Sequence, residues 1–176
     1  MNKLKTLEDL FLEEMNDIYH AETQLVQTLP KLSLKVVSEK LENVLDLHLE
    51  ETKNHVARLE QTFELLGTAP AGARTQAIDG LLANEDEIRC ADAEPPVKDA
   101  GIICATQKVE HFEIASYGFL LGYAERLGLA KIVRLLTANL QDEKRAEQAL
   151  KEIAEEQMDS NVTYFPMSEA YSLSLA

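Results

Sequence analysis

Residues 41–59 read LENVLDLHLEETKNHVARL, and a helix built from them carries Leu41, Val44, His48, Glu51, His55 and Leu59 along one face. Steps of three and four residues keep successive positions on one side of a 3.6-residue helix. The stripe is apolar at both ends and polar at three consecutive positions in between. A lone buried carboxylate is costly, so a core-facing stripe that turns polar at its centre marks either a boundary face or a site.

Around this stretch the chain reads as helices. Ser38 can cap it at the front, and Leu66 before Gly67 ends it. Upstream, Thr6 followed by Leu-Glu-Asp is an N-cap with acids in the first turn. Leu7, Phe11, Met15, Ile18, Leu25, Leu29, Leu32 and Val36 then form the apolar face of a helix that Pro30 would bend. Downstream, GTAPAGARTQ is a turn-rich connector, TQAIDGLLANEDEIRC predicts one short helix, and ADAEPP closes it. Pro95 and Pro96 suit the start of a third long helix that ends near Leu127 at Gly128, and a fourth runs from about Leu129 to about Glu155. Short turns imply antiparallel neighbours, whereas a connection of about 30 residues between the two hairpins can cross the length of a bundle. The expected fold is all-α: a ferritin-like, up-down-down-up four-helix bundle with a short extra helix in the long crossover. Residues 1–157 would form this bundle; MDSNVTYFPMSEAYSLSLA, residues 158–176, lacks a helical period and reads as an irregular tail.

Composition agrees. The chain has 176 residues, 45% of them hydrophobic, which suits one domain with a substantial core. With 6% aromatic residues, no Trp and little Gly or Pro, a helical class is favoured over a β-sandwich. A net charge of −14 argues against phosphate-rich partners and anionic membrane surfaces. No apolar run reaches the ~18–20 residues of a membrane span. The N-terminal MNKLKTLEDLFLEEMND has acids where a signal peptide would be apolar. Cys90 and Cys104 form no CxxC pair and read as free thiols, so a cytoplasmic location is expected.

Each long helix puts a glutamate into its inward stripe. Glu22 lies between Ile18 and Leu25, Glu51 follows His48, Glu110 and Glu113 fall between Ile103 and Tyr117, and Glu143 falls between Leu136 and Leu150. Heights match as well: Glu22 and Glu51 straddle the first turn, and Glu113 and Glu143 straddle Gly128. Residues equidistant from a hairpin turn share a level, which groups Glu22, Glu51, Glu113 and Glu143, with Glu110 a turn away. Divalent cations neutralise such a cluster, and carboxylate with imidazole suits iron or manganese. Solvated or boundary acids are the plainer explanation of any one of them.

The histidines are less regular. The usual Glu-x-x-His spacing of di-iron carboxylate bundles is missing, because Asn54 follows Glu51 and Ala146 follows Glu143 at that interval. His48 is the preferred ligand and His55, a turn after Glu51, its rival. His111 points about 100° from Glu110, and His20 reads as exposed. Tyr19 and Tyr117 are core tyrosines or partners of ligating carboxylates.

The strings AETQL (21–25), HLEET (48–52), QKVEHFEIASYG (107–118) and LQDEK (140–144) resemble the YciE/YciF family of ferritin-like bacterial stress proteins over roughly residues 5–155. The resemblance implies a homodimer with a dinuclear metal centre built on Glu22, Glu51, Glu110, Glu113, Glu143 and His48, with His55 and Glu147 as secondary candidates. Two metal ions, iron first and manganese second, and oxygen or peroxide are the implied cofactors and reactants. A non-catalytic metal protein, or a metal-free scaffold acting through a partner, is the competing expectation.

Overall fold

The structure is a computed structural model that describes residues 4–71 and 75–159. Five helices follow one another: α1 (Leu7–Ser33), α2 (Glu39–Leu65), α3 (Gln76–Cys90), α4 (Pro95–Arg126) and α5 (Ala130–Asp159). There is no strand among the described residues. Nor is any described helix long and apolar enough to cross a membrane.

Helix ends are set by local chemistry. Thr6 Oγ1 accepts a hydrogen bond from the Asp9 amide at 3.1 Å, and the Asp9 carboxylate accepts one from the Thr6 amide at 3.0 Å, a reciprocal box that satisfies two orphan donors. Ser38 Oγ caps α2 through the Leu41 amide. The C-termini of α2 and α4 stop at glycines in the left-handed region, Gly67 at φ 67° and Gly128 at φ 70°. There the Thr68 amide reaches the Phe63 carbonyl and the Leu129 amide reaches the Ala124 carbonyl, which closes both helices in the same six-residue turn.

The directions of the helices follow from two contacts. Asp99, near the start of α4, accepts from the amides of Val37 (3.0 Å) and Ser38 (2.9 Å) at the α1–α2 turn. Eighteen residues on, the Tyr117 hydroxyl donates to Glu22 in mid-α1. Thus α4 runs antiparallel to α1 and parallel to α2, and the order is up-down-down-up. α1 packs on α2 and α4, α5 packs on α4 and α2, and the crossover helix α3 lies mainly against α4. This is the ferritin-like bundle the sequence predicts. Residues 160–176 lie outside the described residues, and with them nearly all of the expected tail.

Two apolar layers fill the bundle. One holds Phe11, Met15, Leu59, Phe63, Leu120 and Leu136, and the other Leu29, Leu32, Leu41, Leu45, Ile102 and Leu150, all at most 1% exposed. Asp99 is equally buried and ties the second hairpin to the first. Asp99→Ala would leave two turn amides without partners, costing about 2–3 kcal/mol. For a chain of this length that is a loss of roughly 4–12 °C in Tm, readable by calorimetry.

Candidate metal centre

Between the two apolar layers sits a polar one. Glu22 (α1), His48 and His55 (α2), Glu110 and Glu113 (α4) and Glu143 (α5) are each no more than 2% exposed. Their donor atoms form two groups, His48–Glu110–Glu113–Glu143 and Glu22–His55–Glu143, and within each the atoms lie within 4.8 Å of one another. Glu143 belongs to both groups.

The contacts inside the groups are short but poorly aligned. His48 Nε2 is 3.0 Å from Glu110 Oε1, and His55 Nδ1 is 3.1 Å from Glu22 and 2.9 Å from Glu143. Yet both nitrogens, and every carboxylate oxygen of Glu110, Glu113 and Glu143, lack an aligned hydrogen-bond partner among the described residues. Buried polar groups seldom remain so. Atoms aimed at a common point, rather than at each other, behave in this way. Two donors on one ion at a bond length of about 2.1 Å, roughly 90–110° apart, stand about 3.0–3.4 Å from each other. Charge fits too: the four carboxylates of the two groups, with neutral imidazoles, balance two divalent cations. Carboxylate and imidazole without thiolate suit iron or manganese rather than thiophilic ions.

Without cations, protons must offset the charge. Burial opposes a charge on His48, but Glu110, with Glu143 and Glu22, outweighs it and raises the imidazole to about 10. His55 goes to about 11 in the same way, against its burial, through Glu22 and Glu143. Burial, and then the negative charges of Glu143, Glu22, Glu110 and Glu85, push Glu113 well above the carboxylate range. Burial likewise raises Glu22 and Glu110.

An outer set of hydrogen bonds fixes the donors. His55 Nε2 is 3.3 Å from Asp142 Oδ2, which leaves Nδ1 turned to Glu22 and Glu143. Arg58 binds Asp142 at 2.7 Å and Asn139 at 2.9 Å, and Arg145 also pairs with Asp142. Against its partial burial, Arg58 and Arg145 hold the Asp142 carboxyl below its usual range. The Asn139 amide donates to the Tyr117 hydroxyl at 2.9 Å, and that hydroxyl donates to Glu22. A carboxylate behind a ligating imidazole sets its tautomer and orientation.

Of the sequence candidates, Glu22, His48, Glu110, Glu113, Glu143 and His55 come together, and Tyr117 stands beside Glu22. Glu51 does not join them: it lies at the flank of α2 and pairs with Arg145 at 3.2 Å. His48 and His55, seven residues apart, define a line on α2, and Glu51 and Thr52 fall about 50° to either side of it. The bundle buries the Thr52 side, with Leu45 in place of Val44. Glu22 is therefore level with His55 rather than Glu51. Glu147 is only half-buried and belongs to neither group. Tyr19 turns away to Glu60 (3.0 Å) and packs edge-on against Phe63. His111 is exposed, and His20 is partly covered and pairs with Asp79 of α3. The sequence reading missed Asp142, Arg58 and Asn139, and it missed Glu85 of α3, which is 1% exposed. The only sequence signal for Asp142 is its place beside Glu143.

A ferritin-like helical bundle with a buried glutamate–histidine cluster able to bind metal is the class that fold and site define. Within that class the chain belongs to the family described as a domain of unknown function, DUF892, whose model matches residues 6–163. It is 38% identical to protein YciF of Escherichia coli K12 over 152 residues, covering 86% of this chain and 92% of that protein. The crystal structure of the E. coli stress protein YciF matches with a TM-score of 0.86 at 36% identity, over 90% of this chain and all of that one. YcfI from Rhodopseudomonas palustris matches at 0.82 and 44% identity, over 85% of this chain and 96% of that one. A ferritin-like, diiron-carboxylate protein of Bacillus anthracis shares the fold at 0.67 and 14% identity, over 86% of this chain and 99% of that one. The family membership bears out the resemblance read from the sequence.

Proposed function

We propose that the protein binds a pair of iron or manganese ions, one at His48–Glu110–Glu113 and one at Glu22–His55, with Glu143 between them, and that its iron form oxidises Fe(II) with oxygen or peroxide. The observation that carries the proposal is the set of buried donors that approach to about 3 Å without hydrogen-bond alignment. Bound as a pair, the ions supply one-electron redox steps toward a small oxidant, which the side chains alone cannot. Asp142 orients His55, Tyr117 and Asn139 hold Glu22, and the two apolar layers keep bulk water out. Because no donor is more than 2% exposed, the centre suits a reactant the size of oxygen or peroxide better than an organic substrate. The description of the E. coli relative as a stress protein supports a role in the stress response.

The test is to add Fe(II) anaerobically, admit oxygen or peroxide, and follow oxidation by absorbance. The protein should oxidise Fe(II) faster than its Glu143→Ala variant; equal rates would remove the redox reading. Metal uptake should also release protons. Imidazoles held near 10 and 11 are protonated at neutral pH and must lose that proton to ligate. Titrating Mn(II) into weakly buffered protein near pH 7 should acidify it, less so for His48→Ala and His55→Ala. Uptake without proton release would mean that the imidazoles are not held protonated or do not ligate the ion.

A further inference from the structure

The crossover helix carries a buried carboxylate that neither hairpin accounts for. On α3, Ile78 and Glu85 are buried and Leu81, Leu82 and Ile88 are partly so, a stripe that faces the bundle. The close fit depends on Gly101 of α4, where an added Cβ would stand 2.8 Å from the Ile88 side chain. One turn before Ile88, Glu85 is 1% exposed, and neither of its carboxylate oxygens has a hydrogen-bond partner among the described residues. Burial pushes it up to about 7, opposed by the nearby Thr106 hydroxyl, which is not aligned for a hydrogen bond and is itself without a partner among the described residues, and by His48. Asn84, the preceding residue, accepts a hydrogen bond from Lys108 at 3.1 Å, which sets this turn of α3 beside the turn of α4 that carries Glu110. Asp86 and Glu87, the next two residues, are exposed, so water was within reach of this helix. Burying Glu85 without a partner costs stability, and a cation in the centre would offset that cost.

We propose that Glu85 is an outer carboxylate beside the metal centre, a positioning residue contributed by the crossover helix and not a ligand, so that an ion at the His48–Glu110–Glu113 side and the docking of α3 stabilise each other. The inference rests on the metal-binding reading above. Glu85 stands outside the group whose donors lie within 4.8 Å of one another, so it acts as a positioning residue for the ion and for α3. Thermodynamic coupling is reciprocal: if the ion tightens α3, loosening α3 weakens the ion by the same factor.

The experiment measures Mn(II) affinity by calorimetry and amide hydrogen exchange along the full chain, with and without Mn(II). It compares the natural protein, Glu85→Gln and Gly101→Ala. In the natural protein, Mn(II) should slow exchange across residues 76–90 about tenfold. Glu85→Gln should abolish that slowing and weaken Mn(II) binding about tenfold, while α1, α2 and α5 keep their metal-free protection. Gly101→Ala alters no donor but pushes Ile88 and α3 outward, so it should weaken Mn(II) binding as well. Unchanged affinity and unchanged α3 slowing in Glu85→Gln would overturn this inference and leave the metal centre intact. Failure of the natural protein to bind Mn(II) would overturn both.

Discussion

Glu143→Ala should abolish binding at both metal subsites at once. Glu143 is the carboxylate that both donor groups share, whereas Glu22→Ala or His48→Ala removes a donor from one group only. The effect should be read as thermal stability with and without metal. An ion present at a hundred times its Kd adds about 2.7 kcal/mol per site. For a chain of this length that is roughly 5–11 °C in Tm per ion. The natural protein should show this gain, Glu22→Ala a part of it, and Glu143→Ala none. A Glu143→Ala protein that still gains Tm with Mn(II) would place the ions elsewhere.

The metal-free protein should lose stability as pH rises from about 7 to about 10. The sign follows from the two histidines. Both are raised in the folded state, to about 10 and about 11, above the ordinary 6.5. A raised pKa means stability fully present below 6.5 and lost as pH climbs through the folded values. Glu113, also raised, works in the same direction: its protonated form fits the site, and ionisation above the carboxylate range is resisted. For groups this tightly coupled, the loss is on the order of a few kcal/mol, or about 5–15 °C in Tm. Melting curves of chelator-treated protein across that range give the measurement. With Mn(II) bound the dependence should reverse or flatten, because the ion competes with those protons. A metal-free protein whose Tm is constant from pH 7 to 10 would show that the imidazoles are not held protonated.

Much of this could be read from the chain, for identifiable reasons. The helices announce themselves through caps and period: Thr6 with Asp9, Ser38, and the glycines at 67 and 128 sit where the structure ends or starts a helix. Glu22, Glu110, Glu113 and Glu143 were legible because each interrupts an apolar stripe. Glu51 was misplaced because a stripe fixes a helical face only to within about one residue, or 100°. Glu51 and Thr52 flank the histidine line equally, and the bundle buries Thr52 while Glu51 is left at the flank with Arg145. His55 was undervalued because the familiar Glu-x-x-His spacing was the template, whereas here α2 supplies two histidines seven residues apart and no glutamate. Glu85 was invisible for another reason. Glu85 does interrupt the stripe of Ile78, Leu81, Leu82 and Ile88, but it lies on a 15-residue crossover helix outside the four long helices whose glutamates were compared by height, beside three other acids, Asp79, Asp86 and Glu87.

The most direct test of the two-ion centre is anomalous diffraction at the manganese and iron edges from crystals of the metal-loaded protein, because it gives metal identity and ligands together. Two peaks are expected about 3.5–4 Å apart, one beside His48, Glu110 and Glu113 and one beside Glu22 and His55, with Glu143 touching both. Density for no ion between the helices, or for ions only at exposed acids on the surface, would contradict it.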